Sequence, residues 1–213
     1  MSVFVAEELS EVLNTKVMIG RINMGLLNRI IIDDVLLDDQ SGQEMLKVTR
    51  LSAKFDIMPF FKGKISISSV QLFGFNINLR KETPDSPPNF KFVLDAFASK
   101  DTVKKENSLD LRINSILIRR GRMSYHVLSE EETPGKFNAK HIQLQNIIAN
   151  ISLKALSKDS LNLGIKRLSL DEKASGFSLK KMSLKLVANN KQTNIDNFTI
   201  ELPETSLKLD TIH

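Results

Sequence analysis

ISISSVQLFGFNINLR, residues 65–80, decides the fold, because its apolar residues change step in mid-strand. Ile65 and Ile67 alternate with serines, the pattern of a strand with one wet face. Val70 then follows Ile67 by three residues instead of two, and Leu72 keeps the new phase. Phe75, Ile77 and Leu79 return to the old one. In a flat strand a slip of one residue would throw the whole apolar set onto the wrong face. A β-bulge absorbs the slip: two residues oppose one, and the strand bends and twists more strongly.

The slip recurs along the chain. It is present in IDDV (Ile32–Val35), VTRL (Val48–Leu51), ISSV (Ile67–Val70), INSI (Ile113–Ile116), AKHI (Ala139–Ile142), IKRL (Ile165–Leu168), LKKM (Leu179–Met182) and IDNF (Ile195–Phe198). Each places two polar or small residues between apolar ones, an irregular internal repeat. ISSV and INSI read as bulges, since strand-like residues continue on both sides. IDDV could instead mark a turn at its aspartate pair. A sheet with this many bulges is strongly curved.

Around these slips the chain reads as mainly β. A short amphipathic helix over residues 1–16, with Val5, Leu9 and Val12 on one face, precedes strands near 17–24, 28–37, 46–55 and 64–80. Residues 83–108 interrupt the pattern. They contain a Pro-rich loop, a short helix near 90–98 with Asn89 as its cap and Phe90, Val93, Leu94 and Phe97 as its apolar face, and a polar linker at 99–108. Strands resume near 109–119, 122–128, 137–145, 148–155, 161–170, 176–188, 194–202 and 206–212. The last ends in SLKLDTIH with no closing element, as a piece of a longer chain would.

Composition narrows the function. Of 213 residues, 41% are apolar, and aromatics are confined to 12 Phe and one Tyr, with no Trp. That count disfavours a glycan-binding sandwich with aromatic loop tips. The net charge is +5, but acidic residues (25) nearly match basic ones (30), so the charge is diffuse rather than striped as in a nucleic-acid binder. Cysteine is absent, which excludes disulfides and thiol chemistry and suits a periplasm, as it suits many cytosolic proteins. No run approaches the ~20 apolar residues of a membrane-spanning helix.

Catalytic constellations are missing, so no enzymatic activity and no cofactor is expected. His126, His141 and His213 show no metal or triad spacing, and His141 reads as a solvated sheet residue. Asp33, Asp34, Asp38 and Asp39 do not follow the calcium-loop pattern, and DDQSGQE reads as a hairpin turn. IRRGR, with Arg119, Arg120 and Arg122, reads as a charged strand end or turn, or as a contact for lipid phosphates. What remains is the apolar stripe: Ile67, Val70, Leu72, Ile77, Ile113, Ile116, Ile118, Met123, Ile142, Leu144, Ile165, Leu168, Leu179 and Met182. Either it is a dry core between two layers, or something else covers it.

LNTKVMIGRINMGLLNRIIIDDVLLDDQSGQEMLKVTRLSAKFDIMPFFKGKISISSVQLFGFNINL, followed by NFKFVLDAFASKD, resembles the N-terminal periplasmic region of TamB proteins of the Bacteroidetes type. These belong to the AsmA-like superfamily and are similar to bridge-like lipid transfer proteins. The resemblance is strong over residues 9–100 and looser over 101–213. It implies a curved antiparallel sheet folded into an elongated open groove over residues 17–213, apolar inside and polar outside. It further implies a periplasmic location, an inner-membrane anchor outside this piece, phospholipid acyl chains as ligand along the stripe, and an outer-membrane barrel partner. A role in outer-membrane protein assembly by β-augmentation is the alternative it leaves open.

Overall fold

A computed structural model describes residues 2–26, 28–55, 67–98, 113–157 and 160–212. The expected linker at 99–108, the strand start at residues 64–66 and His213 lie outside the described residues. Helix α1 (Ser2–Leu13) leads into strands β1 (Val17–Gly25), β2 (Arg29–Asp38), β3 (Glu44–Phe55) and β4 (Ile67–Lys81). Helix α2 (Lys91–Ala98) follows, then β5 (Ile113–Val127), β6 (His141–Ser157), β7 (Ser160–Glu172), β8 (Ser178–Asn189), β9 (Thr193–Glu201) and β10 (Ser206–Ile212). All ten strands form one sheet in chain order, and β1 does not close onto β10. The chain is mainly β with two short helices, as its periodicity requires.

Three expectations are corrected. The sheet is mixed, because β4 and β5 run parallel while every other pair is antiparallel. The long connection between these two strands carries the chain back to the end from which β4 started, and a parallel pair requires such a crossover. Second, 109–119 with 122–128 and 137–145 with 148–155 are not separate strands: β5 and β6 run through both breaks. At those breaks Arg120 and Asn146 take left-handed φ values of 55°, which shifts the step without ending the strand. Third, AKHI is no slip within a strand but the end of a hairpin loop, where Asn138 bridges to His141.

The slips act in concert. Ile19 and Ile22 of β1 pair with Val35 and Ile32 of β2. These pair with Val48 and Leu51 of β3, which pair with Phe75 and Leu72 of β4. The out-of-step residues are therefore in register across four strands, and the ladder stays intact while its facing order is reset. Asp34 (φ 55°) and Gly74 (φ 64°) occupy left-handed backbone on this line, conformations that Asp and Gly tolerate best. Where neighbouring slips fall out of step, bulges appear. Ile67 and Ser69 span three residues against Phe55 and Lys54, and Ile113 and Ile116 oppose Leu153 and Ile151. The bulges expected at ISSV and INSI are both present.

Two buried clusters hold the sheet. Val48, Phe75 and Ile147 form the central one, with Val35, Leu72, Ile77, Ile118, Met123 and Leu168 packed around it. Phe75 lies across the backbone of Gly121, where a Cβ would come within 2.3 Å of the ring. Val17, Leu37 and Met45 form the second, under Leu13 of α1, Phe90 just before α2, and Phe92 and Val93 of α2. The face of α1 that packs is not the expected one. Ala6 is buried and Leu13 joins the core, whereas Leu9 and Val12 are exposed. Ser10 decides this: its hydroxyl donates to the Ala6 carbonyl and accepts from Val17 N–H at 3.0 Å, tying that side of the helix to β1.

Buried carboxylates lock the hairpin ends. Asp39 receives Ser41 N–H, Ser41 Oγ and Gln43 N–H on Oδ1, and Asn89 Nδ2 at 3.1 Å and Arg80 at 2.6 Å on Oδ2. Burial opposes ionisation here, but Ser41, Asn89 and the backbone donors outweigh it, and the carboxyl sits below the usual range. Asn89 thus serves Asp39 and β4 rather than capping α2: its Oδ1 accepts Arg80 N–H at 3.0 Å. Glu172 plays the same part between β7 and β8. Burial pushes against its charge, yet Ser175 Oγ and the N–H groups of Ser175, Gln143 and Ala174 lower its pKa to about 2.

Substituting Gly121 with Val should destabilise the protein by about 1–3 kcal/mol in urea unfolding, because buried Phe75 must leave its place. Glu172 has its ordinary pKa of 4.5 in the unfolded chain and about 2 when folded, so it stabilises above pH 4.5 and the benefit is lost as pH falls through 2. A Glu172→Gln variant should flatten the pH dependence of stability across that window in chemical denaturation.

Candidate functional site

One apolar row crosses the entire sheet. Ile22, Ile32, Leu51, Leu72, Ile118, Ala149, Leu168, Met182, Ile200 and Leu207 are successive ladder partners from β1 to β10. Beside it runs Met24, Ile30, Ala53, Val70, Ile116, Ile151, Ile165 and Leu184. On its other side lies Val17, Leu37, Leu46, Ile77, Met123 and Leu144. At strand spacings of about 4.8 Å, the full row covers roughly 43 Å of sheet.

The residues singled out in the sequence fall on this face. Leu72, Ile118, Leu168 and Met182 lie in the full row, and Val70, Ile116 and Ile165 in its neighbour. Ile77, Met123 and Leu144 lie in the third row, and Ile142 precedes Leu144 by two residues, opposite Tyr125. Leu179 pairs with Leu170, which packs on the central cluster. Ile67 and Ile113 join by backbone register with Phe55 and Leu153. Ile32 and Leu51 stand at the IDDV and VTRL slips, whereas Ile22, Ala149, Ile200 and Leu207 were not singled out by the sequence. Ala149, for example, is placed only by its ladder partners Ile118 and Leu168.

Burial along the full row is partial. Ala149 is buried and Leu207 exposed, while the other eight residues are half-buried. Strand backbones adjoin only their ladder neighbours, side chains reach further only at the central cluster where Phe75 meets Ile147 over Gly121, and among the described residues α1 and α2 pack at the β1 end alone. The dry core between two layers is therefore restricted to the clusters around Val48 and Val17, and the rest of the face keeps access to solvent.

The opposite face is polar and organised by ion pairs. Arg21, Asp33, Arg50, Phe73 and Arg119 form the adjacent cross-strand row. Arg50 grips Asp33 through Nε at 2.6 Å and Nη2 at 3.2 Å, with Arg21 at 3.9 Å, and the Arg50 hydrogen bonds hold the Asp33 carboxyl below the usual range. The aspartate pair of IDDV is thus neither a turn nor a calcium loop: Asp33 faces away from the apolar side and Asp34 carries the kink. IRRGR lies within β5 rather than at a strand end. Its Arg120 guanidinium sits 5.2 Å from the Phe73 ring centre, a cation–π contact on the polar face.

A second cluster lies at the end of the β5–β6 hairpin, and sequence reasoning missed it. His126 and His141 are direct ladder partners, with Nδ1 atoms 3.0 Å apart. His141 is buried rather than solvated, and its Nε2 lies 2.9 Å from the Glu130 carbonyl oxygen. Glu132 Oε1 comes within 3.8 Å of His126 Nδ1. The available signal was a histidine at each end of one hairpin with three glutamates between them, legible only once 126 and 141 are known to face each other.

No family model matches the chain, and no curated protein matches it. No helix among the described residues is long and apolar enough to cross a membrane.

If the face is open, truncation there should cost far less than in the core. Ile200→Ala is expected to cost about 1–2 kcal/mol and Phe75→Ala about 3–5 kcal/mol in equilibrium unfolding. A sealed core would make the two losses similar.

Proposed function

We propose that this chain binds the acyl chains of phospholipids along its apolar face, as part of an envelope lipid-carrying protein of the TamB kind in the periplasm. The carrying observation is the ten-strand apolar row, half-buried at most positions and without a covering element among the described residues. Hydrocarbon is the ligand that such a surface suits. It is apolar along its whole length, needs no hydrogen bonds, and gains about 0.8 kcal/mol per buried methylene. The row exceeds the length of one acyl chain, so a tail has many near-equivalent positions and can slide. The bulges bend the sheet so that the apolar face lines a trough, and the arginines of the other face keep that side in water. The inner-membrane anchor and the outer-membrane barrel partner belong to this reading through the sequence resemblance alone.

One observation favours β-augmentation as a second reading. Among the described residues β1 and β10 each pair on one side only, and β10 is exposed from Ser206 to Thr211. Such an edge offers unpaired N–H and C=O groups to an extended chain.

Native mass spectrometry after incubation with phospholipid vesicles tests the first reading. The parent chain should retain lipid, and Ile118→Asp and Leu168→Asp should reduce it at least tenfold, to the order expected for a charge forced into hydrocarbon. Asn150→Asp, on the polar face opposite Leu117, should leave it unchanged, with circular dichroism confirming that each variant is folded. Equal retention by all variants, or none by the parent, would reject acyl-chain binding.

A further inference from the structure

We propose that His126, His141 and Glu132 form a binding site for a divalent transition-metal ion of the zinc type. The ladder itself sets the site up. His126 near the end of β5 and His141 at the start of β6 are directly paired, so the backbone fixes both rings on one side of the hairpin. Their Nδ1 atoms are 3.0 Å apart, and two nitrogens on one tetrahedral zinc, each ~2.0–2.1 Å from the ion, lie about 3.3 Å apart. Glu132 Oε1 is 3.8 Å from His126 Nδ1, and the three ligand atoms all fall within 4.8 Å of one another. Only small side-chain rotations separate this arrangement from a coordination triangle.

The second nitrogen of His141 supports the assignment. A carbonyl oxygen can only accept, so Nε2 of His141, 2.9 Å from the Glu130 carbonyl, carries the proton. Its Nδ1 therefore presents a lone pair to the cluster. This is the orientation that metal-binding histidines adopt, with the far N–H anchored on a backbone carbonyl or a carboxylate. Without metal, His126 Nδ1–H donates to that lone pair. A bound ion would take the place of the His126 Nδ1 proton, which leaves to solvent, and would meet two imidazole nitrogens and one carboxylate oxygen. Two nitrogen donors select zinc-like ions over magnesium or calcium, which prefer oxygen alone. Water completes the coordination, and the ion would fasten the 128–140 loop to the end of the sheet.

Zinc chloride titrated calorimetrically into the chelator-treated full chain tests this, with cobalt as a spectroscopic probe. One ion per chain, visible cobalt bands and a higher melting temperature are expected. Glu132 is 65% exposed in its side chain, so Glu132→Gln should leave the fold intact while weakening zinc at least tenfold. His126→Ala should abolish the cobalt bands, and His213→Ala should change nothing. The site is refuted if the parent shows no saturable zinc binding below about 100 μM. It is refuted equally if Glu132→Gln and His126→Ala bind zinc as tightly as the parent.

Discussion

Everything in this sheet follows from keeping one face apolar across ten strands whose alternation is interrupted. An interruption in one strand alone would turn its later apolar residues to the wrong face. The chain resolves the conflict by making its strands slip together: from β1 to β4 the out-of-step residues are ladder partners, so each correction is matched by its neighbour. Apolar residues then stay with apolar residues in row after row. The cost is backbone strain at a few left-handed positions. Asp34, Asn146, Asn197 and Gly74 bear it with residue types suited to it, and Arg120 is offset by its contact with Phe73.

The hydrophobic effect alone would not set where the sheet's hairpins end. Asp39 and Glu172 do so with almost fully buried carboxylates, each surrounded by hydroxyl and backbone donors and held below its ordinary range. A buried charge without such partners would cost several kcal/mol. These two sites make the turns specific where the repetitive strands are not.

The central packing explains why the face is only partly covered. Phe75 over Gly121, with Val48 and Ile147 beside it, makes one compact knot in the middle of the sheet. Helices α1 and α2 close the β1 end over Val17, Leu37 and Met45. Beyond these, Met182 and Ile200 stand half-buried in a face that no element among the described residues covers.

Local pattern alone determined the strand class, most strand positions, the bulges at ISSV and INSI, and part of the apolar stripe, because period-two alternation and its interruptions are written residue by residue. Pairing was not legible. Whether Gly121 and Asn146 end a strand or kink it depends on a partner's backbone, and the interruption at 83–108 announces a long connection without fixing that β4 and β5 run parallel. The packed side of α1 was decided by Ser10 meeting Val17, not by the helix's own periodicity. The His126, His141 and Glu132 cluster is the clearest case. Its members are ordinary polar residues in sequence, and only the hairpin register brings their ligand atoms together.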